Sequence, residues 1–464
     1  MSVHSAGPAR TGIGSRDGDG LGVVRIALAL AALTTVLDAT VVGTALGTLA
    51  TEFDVGLSTI AWTTVGYLLA TAAVLPTLAF ATTRFGARRL FLGGMIIFIA
   101  GSLAAALSTS ATMLIIARVV QGIGGGMVEP TAMTLTRRLA APDRIGRTLG
   151  RFSLVINVAP ILGPLVGGAL AASGHWRAIF AINVPLGLIV LALCWRRLPR
   201  RTAGQDATVR TDFIGLALLT VGFSALLFAI SQTGVRTTPA VIIGLVLIAL
   251  VLLIGYGIRT VRADPASSPP LDLRLIRFRG FGAALLIMAL VGILNYSQMI
   301  GLPLYAEHRG LHGVTVLLLY VSVGVGLIIA MPNAGRLSDR FGPARLVTVG
   351  AALLLPSTAV IAALGETLPL PALLLLLIMV GLGLGSVAAP TVSSVYRTVP
   401  AESSAHATTG VFMSVQLAAA FSVTALGVAQ SQLPDQAGTI QYGLFAALAV
   451  VIMIGASRLP GSRR

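Results

Sequence analysis

Leu114-Ile-Ile-Ala-Arg118-Val-Val-Gln121-Gly122-Ile-Gly124-Gly-Gly126-Met-Val-Glu129-Pro130-Thr131 is the stretch on which the reading of this chain turns. It is apolar enough to be one helix, yet it holds an arginine, a glutamate, a proline and a ladder of glycines. About 260 residues later the ladder returns, uncharged, as Gly381-Leu-Gly383-Leu-Gly385-Ser-Val-Ala-Ala389-Pro390-Thr391. A second repeat has nearly the same offset: Thr83-Arg84-Phe85-Gly86 and Asp339-Arg340-Phe341-Gly342. Internal repeats at a fixed offset mean that one structural unit was used twice.

Composition says where the unit lives. The 464 residues are 56% hydrophobic and 10% charged, with mean hydropathy +0.92, which excludes a soluble or disordered chain. A spanning helix needs about 20 apolar residues. Such runs are predicted at 22–45, 57–80, 89–108, 110–134, 148–171, 177–195, 211–231, 239–258, 281–304, 313–333, 344–364, 368–395, 406–429 and 440–458. The repeats pair the second run with the tenth and the fourth with the twelfth, a shift of eight. The expected organisation is a cytoplasmic tail (1–21), a six-helix bundle (22–196), a linker with two extra helices (197–280), a second six-helix bundle (281–459) and a short cytoplasmic tail (460–464). Repeated bundles hinged on a midplane site are how many secondary transporters achieve alternating access.

The net charge of +16 comes from arginine alone, since the chain has no lysine. With the termini inside, 28 arginines fall in inside segments and only Arg177, Arg236 and Arg309 outside, with Arg118 within a span. That split predicts cytoplasmic termini and makes nucleic acid an unneeded explanation of the basic charge. The missing lysine removes the phosphate-binding loop and Schiff-base chemistry, and the single Cys194 removes an internal disulfide. Gly383-x-Gly385-x-x-Ala388 matches a dinucleotide fingerprint only by letter, because no strand precedes it. The five histidines have no metal-ligand spacing except His308 and His312, which read as decoration of an external loop. No metal and no cofactor is expected.

The polar residues inside the spans are the functional candidates. Asp38 lies near the middle of the apolar run 26–50, about 18 Å from either end, where a carboxylate is costly and therefore a proton-carrying candidate. Arg118 and Glu129 are eleven residues apart, only about 20° past three helical turns, and so share a face. Gln121 lies on the same stripe, and Pro130 makes that stripe bendable. Asp38 and Arg118 are expected in direct or water-bridged contact. Tyr67, Gln121, Asn157, Asn295, Tyr296, Gln298, Tyr320 and Gln416 are candidate cavity residues at mid-membrane depth. Ala159, Gly163 and Gly167 form a small-residue ridge with Pro164 and Gly168, expected to seal the two halves against each other. Asp339 and Arg340, beside Arg336 and Arg345, read as a latch of charges between Gly335 and Gly342.

Several strings resemble the signatures of the major facilitator superfamily, in its fourteen-helix drug:proton antiporter branch. Gly335-Arg-Leu337-Ser-Asp339-Arg340-Phe-Gly342 is similar to the superfamily's loop signature. Leu114 to Gly124 is similar to the helix-4 signature of proton-driven members. Gly163-Pro164-x-x-Gly167-Gly168 resembles the helix-5 antiporter signature, and His175-Trp176-Arg177 through Asn183 to Gly187 the start of helix 6. Leu37-Asp38-Ala-Thr40 resembles the helix-1 signature, with Gly43 and Gly47 where Asn and Pro are usual. The resemblance implies an all-α polytopic membrane protein with the major facilitator fold, two pseudo-symmetric six-helix bundles plus two linker helices. It implies a proton-coupled antiporter, not an enzyme, that exports small amphipathic molecules across a bacterial cytoplasmic membrane. Its partners would be the small-molecule substrate, protons and the lipid bilayer, and it would act as a monomer. The alternatives are a same-fold importer of a metabolite and, more remotely, a non-transporting membrane enzyme or sensor.

Overall fold

The computed structural model describes residues 16–141, 144–198, 210–232, 238–262, 267–311, 313–365, 367–400, 403–433 and 436–459. Within them stand fourteen long helical segments: α1 (Arg16–Val41), α2 (Trp62–Phe85), α3 (Ala87–Ala106), α4 (Ala111–Arg138), α5 (Ile145–Ala172), α6 (Asn183–Arg197), α7 (Phe213–Gln232), α8 (Pro239–Arg262), α9 (Phe281–His308), α10 (Val314–Phe341), α11 (Pro343–Leu364), α12 (Leu370–Thr398), α13 (Ser404–Gln432) and α14 (Ala437–Ala456). Thirteen spans among the described residues are long and apolar enough to cross a membrane. The chain is a multi-pass membrane protein.

Helices outrun the apolar stretches that announced them. α10 continues through Arg336, Ser338 and Asp339 to Phe341, because adding a residue to an existing helix is cheap, and its 28 residues, about 42 Å, exceed a hydrocarbon core of about 30 Å. For the same reason α1 starts at Arg16, inside the segment expected to be a loose tail; residues 1–15 lie outside the described residues. After α1 a 3₁₀ turn, Val42–Ala45, leads into a further short helix, Leu46–Glu52. The sixth span is broken at Ile182 into Trp176–Ala181 and α6. A two-residue parallel pairing, Arg210–Thr211 with Ser267–Ser268, joins the segments flanking α7 and α8.

The packing is symmetric under the shift of eight. In one half α1 packs on α4, α5 and α6, α4 on α2 and α3, and α3 on α6; in the other α9 packs on α12, α13 and α14, α12 on α10 and α11, and α11 on α14. The chain thus folds as two pseudo-symmetric six-helix bundles with two further helices. The glycine ladder is what allows it. A Cβ on Gly122 would strike the Tyr67 carbonyl of α2, one on Gly126 would lie 2.8 Å from the Thr71 carbonyl, and one on Gly124 would lie 2.7 Å from the Gly94 carbonyl of α3. Gly381, Gly385 and Gly383 stand in the same way against Val323 and Ala330 of α10 and Gly350 of α11. Alternate glycines thus admit two neighbours to one central helix at backbone contact, the small-residue packing that membrane helices use. Gly86 and Gly342 end α2 and α10 with the same positive φ, 84° and 85°, a conformation that only glycine adopts freely.

The halves meet along two seams, α5 on α10 and α2 on α13. α7 packs on α2 and α13, and α8 on α7, so the extra pair covers the second seam. Leu75 and Leu78 of α2, Phe223 and Leu227 of α7, Tyr256 of α8 and Met413 of α13 share one apolar cluster.

Candidate functional site

A central cavity of about 870 Å³, its open mouth included, lies between the halves, lined from α1, α4 and α5 on one side and α9, α12 and α13 on the other. Its polar lining is Glu129, Ser153, Asn157, Asn295 and Tyr296; the rest is apolar, including Met133, Met288, Met299 and Phe412. Asn295 Nδ2 donates to Asn157 Oδ1 at 2.7 Å, tying α9 to α5 across the halves. Both asparagines also line a second, smaller pocket with Gln298, Tyr320, Val323 and Leu327, so the amide pair stands between the two chambers.

Beside the cavity, and walled off from it, is a buried polar cluster. Asp38 of α1 and Arg118 of α4 form an ion pair with both side chains fully buried, the contact expected from sequence. Asp38 Oδ1 accepts from Gln121 Nε2 at 2.9 Å and from Asn183 Nδ2 at 2.6 Å. Arg118 Nε donates to the Thr63 carbonyl at 3.0 Å and Nη1 to Gln121 Oε1 at 2.7 Å. Gln121 also donates to Ser102 Oγ at 2.7 Å. The Arg118 guanidinium lies 4.1 Å from the Tyr67 ring centre, and the Tyr67 hydroxyl donates to the Thr35 carbonyl at 3.0 Å. Charge on both partners, with hydrogen bonds from Arg118 Nε and Nη1 and to both Asp38 oxygens, makes the ion pair tolerable away from water, and Arg118 Nη2 is left buried without a hydrogen-bond partner.

Sequence placed the candidates unevenly. Asn157, Asn295 and Tyr296 line the central cavity, and Gln298 and Tyr320 the smaller one. Gln298 accepts from the Tyr442 hydroxyl at 3.1 Å, and Tyr320 donates to the Met299 carbonyl at 2.5 Å. Tyr67 and Gln121 are not in the lining, because the ion pair draws both into the bundle interior; Gln416 is absent from it too, although Phe412 and Val415 of the same helix are present. Arg118 and Glu129, grouped on one face, part company: α1 covers Arg118 through Asp38, while Glu129 opens to the cavity. Asn183 was the residue missed as a site member. Its signal was a lone amide in the sixth apolar run, just after the helix break.

The helix-5 ridge does not seal the halves. A Cβ on Gly163 would strike Thr40 Oγ1, and one on Gly167 the Val41 carbonyl, so the ridge packs on α1 of its own bundle; Pro164 stands in the helix between them, and Gly168 faces open space. The contact across the seam is made one face away, where Gly146 and Gly150 of α5 meet Gly335 and Met331 of α10 at backbone distance. There Asp339 Oδ1 and Oδ2 accept from the Gly146 and Arg147 backbone N–H groups at 2.9 and 3.0 Å, at the α5 N-terminus, where a carboxylate is favoured. Its ion-pair partner is Arg397 of α12, rather than Arg336 or Arg345, and Arg340 lies over the Phe341 ring at 5.2 Å. At the same arginine-rich end Thr134 of α4 meets Thr408 of α13 at 3.2 Å. Thr83, the counterpart of Asp339, bonds only within α2, to the Phe80 carbonyl. Among the described residues no three His, Cys, Asp or Glu side chains gather as a metal site; His312 lies outside them.

Two seams, a cavity between repeated bundles and the Asp339 contacts at one end make up an architecture that the comparisons place in a known family. The model of the Major Facilitator Superfamily matches residues 28–423, and the chain belongs to that superfamily. It is 36% identical over 339 residues to a protein named multidrug resistance protein B homolog in Mycobacterium tuberculosis, covering 70% of this chain and 60% of that one. It is 31% identical over 333 residues to the multidrug export protein EmrB of Escherichia coli, covering 72% and 65%. The chain therefore spans less than two thirds of the length of these relatives. Among solved structures, the proton:xylose symporter XylE superposes with a TM-score of 0.65 at 14% identity over 96% of this chain and 97% of that one. The human organic anion transporter MFSD10 does so with a TM-score of 0.65 at 16% identity over 96% and 100%.

Proposed function

We propose that this protein is a proton-coupled exporter of small amphipathic molecules that works by alternating access. The observation that carries the reading is the cavity between two repeated bundles, with an acid open to it in Glu129, and a fully buried acid–base pair, Asp38 and Arg118, in the first bundle outside its lining. Export against a gradient needs a group whose proton affinity differs between the two access states, and an arginine neighbour and burial move a carboxyl in opposite directions. Asp38 and Glu129 carry the coupling proton in this account, and Arg118 restores or releases Asp38 as α1 and α4 shift.

In the same reading the arginine-rich end is cytoplasmic, and segments 22–196 and 281–459 rock as units while the 197–280 linker follows. The Asp339 clasp holds the cytoplasmic side shut, and the Asn157–Asn295 pair parts to connect the central cavity with the outer chamber. The protein acts as a monomer in a bacterial cytoplasmic membrane. The names of the relatives support export, and no nucleotide or cofactor is needed, because one charge crossing 100 mV supplies about 2.3 kcal/mol. The test is a panel of toxic amphiphiles on a sensitive host with and without the gene. Export predicts higher tolerance and lower cell-associated compound; greater accumulation on expression would mark an importer and overturn the reading.

A further inference from the structure

Asp339 fastens one of the two seams. At the arginine-rich end its carboxylate holds the second and third residues of α5, Gly146 and Arg147, through their N–H groups. The shift of eight puts Thr83 of α2 and the first turn of α13 in the matching place on the other seam, and Thr83 has no carboxyl to offer. What stands at α13 instead comes from the linker. His406, the third residue of α13, turns its buried ring to the Pro270 carbonyl and the Asp272 side chain. Between them Leu271 places its Cδ1 3.8 Å from where a Cβ on Gly410 would stand. With Leu273 it packs against the apolar cluster that α2, α7, α8 and α13 share.

We propose that residues 269–272 form a strap that fastens the second seam, so that the arginine-rich end is closed by a carboxylate on one side and by a neutral stretch of backbone on the other. The inference rests on the alternating-access reading and adds a second closing element to it. The strap's sequence suits a buried backbone. Pro269 and Pro270 are buried and bring no N–H to satisfy. Leu271 brings both backbone groups, and one side chain takes them: the Tyr256 hydroxyl accepts from its N–H at 2.9 Å and donates to its carbonyl at 2.5 Å. Tyr256, itself buried in α8, thus does for the strap what a neighbouring strand would do. Upstream the chain is fixed to the extra helices, where Ser267–Ser268 pairs with Arg210–Thr211 and Asp212 with Arg259, and through α7 those helices pack on α2 of the first bundle. Downstream it runs through the 3₁₀ helix Leu273–Arg277 into α9 of the second bundle. The strap is therefore a tether between the bundles, short while Tyr256 holds Leu271 and slack once that joint breaks, and parting α2 from α13 pulls on it.

The test measures distances between spin labels on the full chain in lipid nanodiscs, in a Cys194→Ala background. Arg84→Cys with Arg345→Cys reports the arginine-rich end and Thr112→Cys with Thr367→Cys the other, each pair having one exposed site in either bundle. Tyr256→Phe keeps the ring and removes both bonds to Leu271. It should raise the open-to-closed ratio at the arginine-rich end at least about fivefold, the scale of a lost buried hydrogen bond, while the other end closes. Lengthening at both ends would mean a loosened fold and overturn the inference. Combined with Asp339→Asn, the two effects on the ratio should multiply, as for independent fasteners. If Asp339→Asn opens the end and Tyr256→Phe changes nothing in either background, the strap is no fastener and the inference falls alone. If neither substitution nor a pH step moves either distance, the alternating-access reading falls and the inference with it.

Discussion

Asp38 shows how much one residue discloses and where disclosure stops. Its depth in an apolar run marked it as functional, and the reach of an arginine stem at similar depth marked Arg118 as its partner; both follow from the cost of an unpaired charge in lipid. Ser102 and the Thr63 carbonyl, which help complete the cluster, were not legible, because hydroxyls and backbone groups occur in a span without purpose; Asn183 stood out as a lone amide in the sixth run, but nothing in the sequence aimed it at Asp38. Tyr67 and Gln121 were legible as polar but not as to which side of the wall they face. The pairing changes what neutralisation does. Asp38→Asn strands Arg118 in the bundle interior, so we expect loss of pH-gradient-driven export together with a stability loss of about 3 kcal/mol or more. Combining it with Arg118→Leu should restore most of the stability and none of the export. Thermal unfolding of the two single variants and the double in detergent forms the cycle; additive losses would contradict a direct pair.

The helix is the scale at which the sequence spoke most clearly. The glycine ladder was visible as a repeat, and its meaning, alternate glycines turned to two neighbours, needed the packing. The helix-5 ridge misled because a small-residue ridge says that a helix approaches closely and not which one. Gly163 and Gly167 turn to α1, and the seam uses Gly146 and Gly150, whose spacing in a charged, polar first turn did not read as a ridge. Two glycines in one fold then make a contrast. A Cβ on Gly383 would lie 2.6 Å from Leu354 Cγ and 2.8 Å from the Gly350 carbonyl, whereas one on Gly168 meets nothing within 4 Å. Gly383→Val should cost about 1–3 kcal/mol or prevent insertion, and Gly168→Ala should stay within about 0.5 kcal/mol of wild type. Thermal unfolding in detergent ranks them, and equal effects would contradict the packing described for α11 and α12.

For the molecule as a whole, hydropathy and the two repeats were enough for fourteen helices and a shift of eight, because lipid forces backbone hydrogen bonding into helices and leaves few alternatives. Which partner Asp339 takes was not legible, since Arg397 of α12 reaches it only once the second bundle has packed and the α5 N-terminus only once the halves have closed. That closure is open to direct manipulation: Thr134→Cys with Thr408→Cys, whose native hydroxyls lie 3.2 Å apart, should cross-link on oxidation and stop export until reductant is added. Continued export by the fully cross-linked protein would mean that the arginine-rich end need not open. The central claim, that carboxyls of the first bundle exchange protons for substrate, is tested most directly by substrate-induced proton release from purified protein in weakly buffered detergent. The account predicts release on adding an exported compound, reduced in Glu129→Gln and absent in the Asp38→Asn, Glu129→Gln double variant. Undiminished release from that double variant, shown to be folded, would contradict it.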